Sequence, residues 1–504
     1  MSWKNMLRLR KIVQALFFAL FILLIWDTAG GKTAGWAPDL FFRLNPLSAL
    51  TTMLAERAWL PKLVLALITV GVTLALGRVW CGWVCPMGTA LEWAHFNRSG
   101  KRKSEPSQKW RSVKYLLLLA ILALALLGNL TLLTLDPLAL ISRTMTTAII
   151  PALIDGFTRL EIALYHLPPL EPLVDWLESM LRGTVLPTRQ PAFAQNLWIA
   201  ALFALILGLN LLAERFWCRY LCPLGGLLGW LSKIAIFRPV VGEACNQCTR
   251  CALVCGSGAI RAKGEAIEIQ PEECTVCLDC LASCKKDTLS FQPRFELAPR
   301  REYDPSRRQA LATLAAGAGG LLLLHSNLRQ RQPDAHLVRP PGAQDEAAFL
   351  SACLRCSLCM RACPTNALQP AFDQAGLEGL WTPILVPRQG YCDYGCNLCG
   401  QTCPSGAIPP MPLEEKRQAV LGKASVLRDR CLPWASDTPC IVCEEMCPTP
   451  QKSIRLEEVR LKNAEGIEIT LQRPYVLRDL CIGCGICENR CPLEGEAGIR
   501  VYSV

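Results

Sequence analysis

Histidine is scarce in this chain. Four occur in 504 residues, His95, His166, His325 and His336, and none lies inside an apolar run. A haem b between buried helices takes axial histidines from such positions, so that cofactor is not expected. No C-x-x-C-H occurs, which removes covalently attached haem as well. No acid–base constellation stands out either. The histidines read as ordinary loop residues, and His166, in a loop between apolar runs, is the one that could help deprotonate a substrate. The chain also lacks a nucleic-acid-binding motif, although its net charge is +11 from 53 basic and 42 acidic side chains. That surplus clusters beside apolar runs, where membrane proteins carry it on cytoplasmic loops.

Cysteine is what the chain has in quantity. Of 28 cysteines, 24 fall into six groups of four, mostly spaced C-x-x-C-x-x-C-x-x-x-C. Thiolates that close in sequence converge on one metal centre rather than pair as disulfides, and iron–sulfur clusters take Cys ligands in such runs. The remaining four form a duplicated motif: Cys81 and Cys85 in WCGWVCPMGTALEW, Cys218 and Cys222 in WCRYLCPLGGLLGW. The copies match without a gap from Arg78/Arg215 to Trp93/Trp230. This is an internal duplication.

Four apolar runs read as membrane spans, near Ile12–Trp26, Leu63–Leu76, Tyr115–Leu135 and Leu197–Ala213. The third is long enough by itself to cross a core of about 30 Å. Lys4, Arg8, Arg10 and Lys11 precede the first run; Arg98, Lys101, Arg102, Lys103, Lys109, Arg111 and Lys114 separate the second from the third; Arg215, Arg219, Lys233 and Arg238 follow the fourth. Both ends of the four-span unit therefore face the cytoplasm, and both Cys motifs close spans on that side. The unit is two helical hairpins in parallel repeat, which brings Cys81, Cys85, Cys218 and Cys222 towards one another. They could hold a seventh cluster, act as redox thiols, or close the repeat structurally. Gly82, Gly88, Gly225 and Gly226 allow close approach there. The loop 136–196 could roof a quinol pocket or serve as a spacer.

After the fourth span come CNQCTRCALVC (Cys245, Cys248, Cys251, Cys255) and CTVCLDCLASC (Cys274, Cys277, Cys280, Cys284). This is the two-cluster bacterial ferredoxin pattern, in which the fourth Cys of each run ligates the other cluster. It groups Cys245, Cys248, Cys251 and Cys284, and Cys274, Cys277, Cys280 and Cys255. Next, Ser306–Leu324 (SRRQALATLAAGAGGLLLL) reads either as a twin-arginine export signal around Arg307 and Arg308, retained as a fifth short span with Ser326–Gln344 as a linker beyond it, or as a basic linker followed by a buried helix. Last come four further runs: Cys353, Cys356, Cys359 and Cys363; Cys392, Cys396, Cys399 and Cys403; Cys431, Cys440, Cys443 and Cys447; Cys481, Cys484, Cys487 and Cys491. Each ends in a proline. Sixteen thiolates make four [4Fe–4S] clusters, for a total of six.

These motifs carry a resemblance. Four spans, two C-x-x-x-C-P motifs and the following two-cluster ferredoxin resemble the NapH-type membrane polyferredoxins. The last four runs, including the C-x8-C-x-x-C form around Cys431, resemble the exported NapG/MauM-type ferredoxins. The chain looks like a fusion of the two. The implied fold is multi-domain, an α-helical membrane bundle with bacterial-ferredoxin-like α+β modules: 1–240 the four-span domain, 241–295 a cytoplasmic two-cluster module, 296–345 the export-like segment and linker, 346–504 an extracytoplasmic four-cluster module. The resemblance further implies that the first run of the last module shares clusters with its fourth, and the second with its third. That pairs Cys353/Cys356/Cys359/Cys491, Cys481/Cys484/Cys487/Cys363, Cys392/Cys396/Cys399/Cys447 and Cys431/Cys440/Cys443/Cys403. No flavin-attachment domain accompanies the motifs. The implied function is a quinol dehydrogenase component of the cell membrane that takes electrons from menaquinol or a similar quinol to an extracytoplasmic reductase or cytochrome. An electron-supplying maturation factor and a wiring subunit of a larger respiratory complex are the alternatives.

Overall fold

The computed structural model describes residues 3–29, 37–94, 106–183, 186–187, 190–263, 266–294, 298–299, 301, 303–325, 334–343, 345–462 and 468–504. His95, Arg98, Lys101, Arg102 and Lys103 lie outside the described residues, as does most of the linker before 334. The chain forms two compact units. One comprises Met1–Trp26, Gly35–Thr144 and Leu197–His325; the other comprises Asp27–Ala34, Met145–Asn196 and Ser326–Val504. The second unit therefore takes in most of the segment between the third and fourth apolar runs.

In the first unit the apolar runs form the helices Trp3–Asp27, Ala66–Leu76, Ser112–Leu126 and Asn196–Gly208. The third is shorter than its run of Leu and Ala promises. It stops at Leu126 because Gly128 adopts φ +79°, a conformation that costs glycine little and ends a helix. A 3-10 turn, Thr131–Leu135, follows. Among the described residues two helical segments are long and apolar enough to cross a membrane, Trp3–Asp27 and Pro137–Tyr165; Pro61–Leu76 and Asn196–Leu211 are apolar but shorter. The second long segment lies within the stretch read from sequence as a loop, where Leu, Ile and Ala outweigh charges until Asp155.

Between the apolar helices lie two short ones with matched beginnings. Asn45-Pro46 opens Pro46–Glu56, and Asp136-Pro137 opens Pro137–Thr144. Asn45 Oδ1 accepts from the N–H of Leu47 at 3.0 Å. Asp136 Oδ2 accepts from those of Leu138 and Ala139 at 3.0 and 3.1 Å. Capping and a first-position proline both favour helix initiation at these points. The packing is crosswise: Pro46–Glu56 rests against Ser112–Leu126 and Pro223–Ser232 of the second half, while Pro137–Thr144 rests against Pro86–Trp93 of the first. The helix Arg307–His325 packs along Ser112–Leu126.

The first unit also holds a small α+β module. Its strands β1 (Phe237–Val241), β2 (Ile260–Lys263), β3 (Ala266–Ile269) and β4 (Leu289–Pro293) make two antiparallel pairs, β1 with β4 and β2 with β3. Ile260, Leu281 and Leu289 fill its core. The second unit carries three further antiparallel pairs. These are β5 (Leu368–Pro370) with β6 (Pro383–Leu385), β7 (Lys423–Val426) with β10 (Ile499–Tyr502), and β8 (Ile454–Lys462) with β9 (Glu468–Val476). Phe349, Leu368, Ile408 and Ile499 form its core, and Phe193 from the preceding segment is buried among them. Burying that ring contributes about 1.5–3 kcal/mol. The Ala192 carbonyl accepts from Asn366 Nδ2 at 2.6 Å and Gln369 Nε2 at 3.0 Å, so the segment is built into the module.

Candidate iron–sulfur centres

In the small module of the first unit, Cys255, Cys274, Cys277 and Cys280 line one small cavity among apolar side chains. These are the four that the two-cluster pattern groups. Cys251 lies within electrostatic reach of Cys245 and Cys248, and Cys284 packs against the same core. The short helices Arg250–Leu253 and Asp279–Ser283, one from each run, pack together and carry the runs face to face.

The same device governs the last module, with a consequence for its pairing. Cys353, Cys356 and Cys359 each act electrostatically with Cys403. Cys392, Cys396 and Cys399 each act with Cys363. One small cavity is lined by Cys447, Cys481, Cys484 and Cys487, and another by Cys431, Cys440, Cys443 and Cys491. The first run therefore exchanges its fourth cysteine with the second, and the third with the fourth. This corrects the pairing implied by the resemblance, which joined Cys491 to the Cys353 run, Cys363 to the Cys481 run, Cys447 to the Cys392 run and Cys403 to the Cys431 run. The reason is helix packing: Leu358–Ala362 meets Leu398–Gln401, and Val442–Glu445 meets Ile486–Arg490.

The four groups follow one another in a line. Cys359 of the first interacts with Cys399 of the second. The Cys392 N–H donates to the Cys484 carbonyl at 2.8 Å, linking the second to the third. Cys487 interacts with Cys443 of the last. Cys353, Cys356, Cys359 and Cys403 are buried, whereas Cys431, Cys440, Cys443 and Cys491 are half-buried.

These sites suit a cluster chemically. The three cavity sites present four thiols among apolar side chains with an N–H group aimed at sulfur: Ala259 to Cys255 at 3.2 Å, Ala424 to Cys481 at 3.4 Å, Gly498 to Cys491 at 3.3 Å. Among the described residues no three His, Cys, Asp or Glu side chains gather closely enough for a single metal ion. Burial pushes the thiols up, Cys392 to about 11 and Cys443 and Cys484 to about 12. Cys447 behaves otherwise. Burial pushes it up too, but the Thr449 hydroxyl and nearby N–H groups outweigh that and hold it below the usual thiol value.

A hydroxyl two residues after the fourth Cys recurs: Ser257, Thr365, Ser405 and Thr449 stand 3.6, 3.4, 3.8 and 3.2 Å from the sulfurs of Cys255, Cys363, Cys403 and Cys447. Thr288 serves Cys284 at 3.5 Å. At Cys491 the corresponding residue is Leu493. The Cys-x-Ser/Thr pattern is legible in the sequence, but its role beside sulfur is visible only in the structure. Hydrogen bonds to cluster sulfurs raise reduction potential.

The four cysteines of the duplicated motif also come together. Cys85 interacts with Cys81 and Cys218, and Cys222 with all three others. Cys81 and Cys218 sit in π-helical turns, Trp80–Val84 and Trp217–Leu221, a geometry common at functional sites. Cys85 and Cys222 precede the helices Pro86–Trp93 and Pro223–Ser232, and the Gly225 N–H donates to Cys222 at 3.2 Å. A Cβ on Gly88 would crowd the Cys81 carbonyl, and one on Gly225 would meet the Cys218 carbonyl and the Arg78 guanidinium. Of the histidines whose side chains are described, His166 is exposed at a helix end and His336 packs on Tyr502.

Two family models, both described as 4Fe-4S binding domains, match the chain: one over residues 51–105 and 195–241, the other over 349–369 and 474–494. The first spans both copies of the duplicated motif. The methylamine utilization ferredoxin-type protein MauM of Methylorubrum extorquens is 37% identical over 39% of this chain and 89% of its own length. The ferredoxin-type protein NapG of Escherichia coli is 36% identical over 38% and 83%. The putative electron transport protein YccM of Escherichia coli is 25% identical over 60% and 80%. No solved structure matches. The chain is an iron–sulfur electron-transfer protein, and through part of its length it belongs to the MauM/NapG family of ferredoxin-type proteins.

Proposed function

We propose that this protein is a membrane-bound quinol dehydrogenase component that takes electrons from menaquinol or a similar quinol and hands them singly to an extracytoplasmic reductase or cytochrome. The observation that carries the reading is the linear succession of four cysteine quartets in the last module. Under this reading the 24 run cysteines hold six [4Fe–4S] clusters, which supply one-electron storage. The chain's own residues hold them, exclude water around them and tune them through hydroxyl and N–H donors.

The arrangement supports a direction. The helix Leu358–Ala362 packs against the turn Met145–Ile149, and Asn366 and Gln369 hold Ala192. The first quartet of the module, Cys353, Cys356, Cys359 and Cys403, is thus joined to the segment leading to and from the apolar helices. Electrons enter there and leave at the half-buried Cys431, Cys440, Cys443 and Cys491. That segment lies opposite the basic flanks along the chain, which favours an extracytoplasmic module. The Trp83 indole donates to the Val276 carbonyl at 2.9 Å beside those flanks, which favours a cytoplasmic two-cluster module. Arg307 and Arg308 head the helix Arg307–His325, as an export signal retained as a span would.

The test is anaerobic. The detergent-purified protein is assayed for iron and mixed with a reduced menaquinol analogue. At least about 24 irons per chain, with clusters reduced by the quinol, supports the reading. A full complement of clusters left oxidised by the quinol overturns the dehydrogenase role and favours a maturation factor or a wiring subunit.

A further inference from the structure

We infer that Cys81, Cys85, Cys218 and Cys222 hold a seventh iron–sulfur cluster in electron-transfer contact with the cluster site of Cys255, Cys274, Cys277 and Cys280. Charge is the first ground. Arg78 and Arg215, equivalent residues of the two copies, are both buried beside the four thiols. The Arg78 guanidinium reaches within 4.0 Å of the Cys81 sulfur and acts on Cys222; Arg215 acts on Cys218. Among the described residues, each shares its carboxylate with a further cation. Glu273 receives Lys114 at 2.6 Å, Arg78 at 3.5 Å and Arg111 at 3.9 Å. Glu92 receives Arg10 at 2.5 Å, and Arg215. With Glu214 beside Arg215, the five cations named here meet three carboxylates in the described pairs. Buried charge must be balanced. Four neutral thiols or two disulfides would leave this surplus standing. A cluster with two positive charges on its core and four thiolates carries two negative charges and removes it.

Contact with the neighbouring site is the second ground. A Cβ on Gly82 would collide with the Thr275 carbonyl, so the residue after Cys81 lies directly against the residue after Cys274. Arg78 Nη1 donates to the Glu272 carbonyl at 3.0 Å, two residues before Cys274. Arg215 acts on both Cys218 and Cys277. The step is a one-electron exchange: as one cluster is reduced, its neighbour is oxidised, with no bond made or broken and no proton moved. The duplicated motif thereby answers its own spacing: two short loops, one from each half, each give two thiolates to one centre.

This inference stands apart from the quinol reading, and its test uses the full chain. Mössbauer spectroscopy and iron analysis compare the parent with the Cys85→Ser/Cys222→Ser variant. The parent is expected to exceed the six-cluster content of about 24 irons by about two to four. The variant is expected to lose that excess and one spectral component, keeping the other six clusters. A parent with about 24 irons, all assigned to six clusters, overturns the inference and leaves the six-cluster reading intact. A folded variant with the parent's iron and spectrum overturns it too. Should the variant not fold, the parent's count decides alone.

Discussion

The Asn45 side-chain amide donates to the Asp136 carboxylate at 3.0 Å, with both residues buried. Each also caps a short helix that begins with proline, so the bond ties equivalent points of the two halves. Buried helix starts leave N–H groups that only protein can satisfy. Replacing Asn45 by Leu removes a cap and one donor to a buried carboxylate. Stability should fall by about 2 kcal/mol, read as an earlier thermal unfolding of the detergent-purified protein.

Cysteine pairing in the last module can be counted in iron. Cys356 and Cys403 frame the same site, so Cys356→Ser/Cys403→Ser should lose about four irons, one cluster. Cys356 and Cys491 frame different sites, so Cys356→Ser/Cys491→Ser should lose about eight. Equal losses with the opposite assignment would restore the pairing of first run with last.

Thr449→Val keeps the shape of the side chain and removes the hydroxyl 3.2 Å from Cys447. Loss of one hydrogen bond to a cluster sulfur, worth about 1 kcal/mol, should lower one midpoint potential by about 40 mV for one electron. Redox titration followed by electron paramagnetic resonance would detect it. A potential that does not move would mean the hydroxyl does not donate to that sulfur.

Cluster loading should depend on pH in a defined direction. Burial raises Cys392 to about 11 and Cys443 and Cys484 to about 12, from an ordinary value of 9.0. Because these folded-state values are raised, the apo chain keeps the associated stability below pH 9 and loses it as pH rises towards 11 to 12. Cluster loading needs thiolates, so reconstitution should release protons and proceed more completely at pH 8.5 than at pH 6.5. A pH electrode during anaerobic reconstitution tests this.

Gly82→Ala should separate the small module from the duplicated motif. The new methyl meets a backbone carbonyl rather than a movable side chain. Overpacking of this kind costs about 1–3 kcal/mol. Limited proteolysis should cut the 245–284 region faster in the variant while the last module stays intact.

Much of the site was legible because cluster ligation is local. Runs such as CTVCLDCLASC bring three thiolates to one centre whatever the rest of the chain does, and the gapless match of the two WC…CP copies announces a duplication. The convergence of Cys81, Cys85, Cys218 and Cys222 followed from that repeat. The fourth ligand is different. It comes from another run, and only the packing of Leu358–Ala362 on Leu398–Gln401 and of Val442–Glu445 on Ile486–Arg490 assigns Cys403, Cys363, Cys491 and Cys447. Hydropathy alone likewise ran the third helix through Gly128, and left Pro137–Tyr165 as a loop. A positive φ ended the first, and a capped Asp-Pro began the second. The capture of Phe193 by the last module has no signal in any motif, since a lone phenylalanine is buried by whichever surface happens to face it. Local spacing determined what this protein binds. Long-range packing decided which residues share each centre and in what order the centres meet.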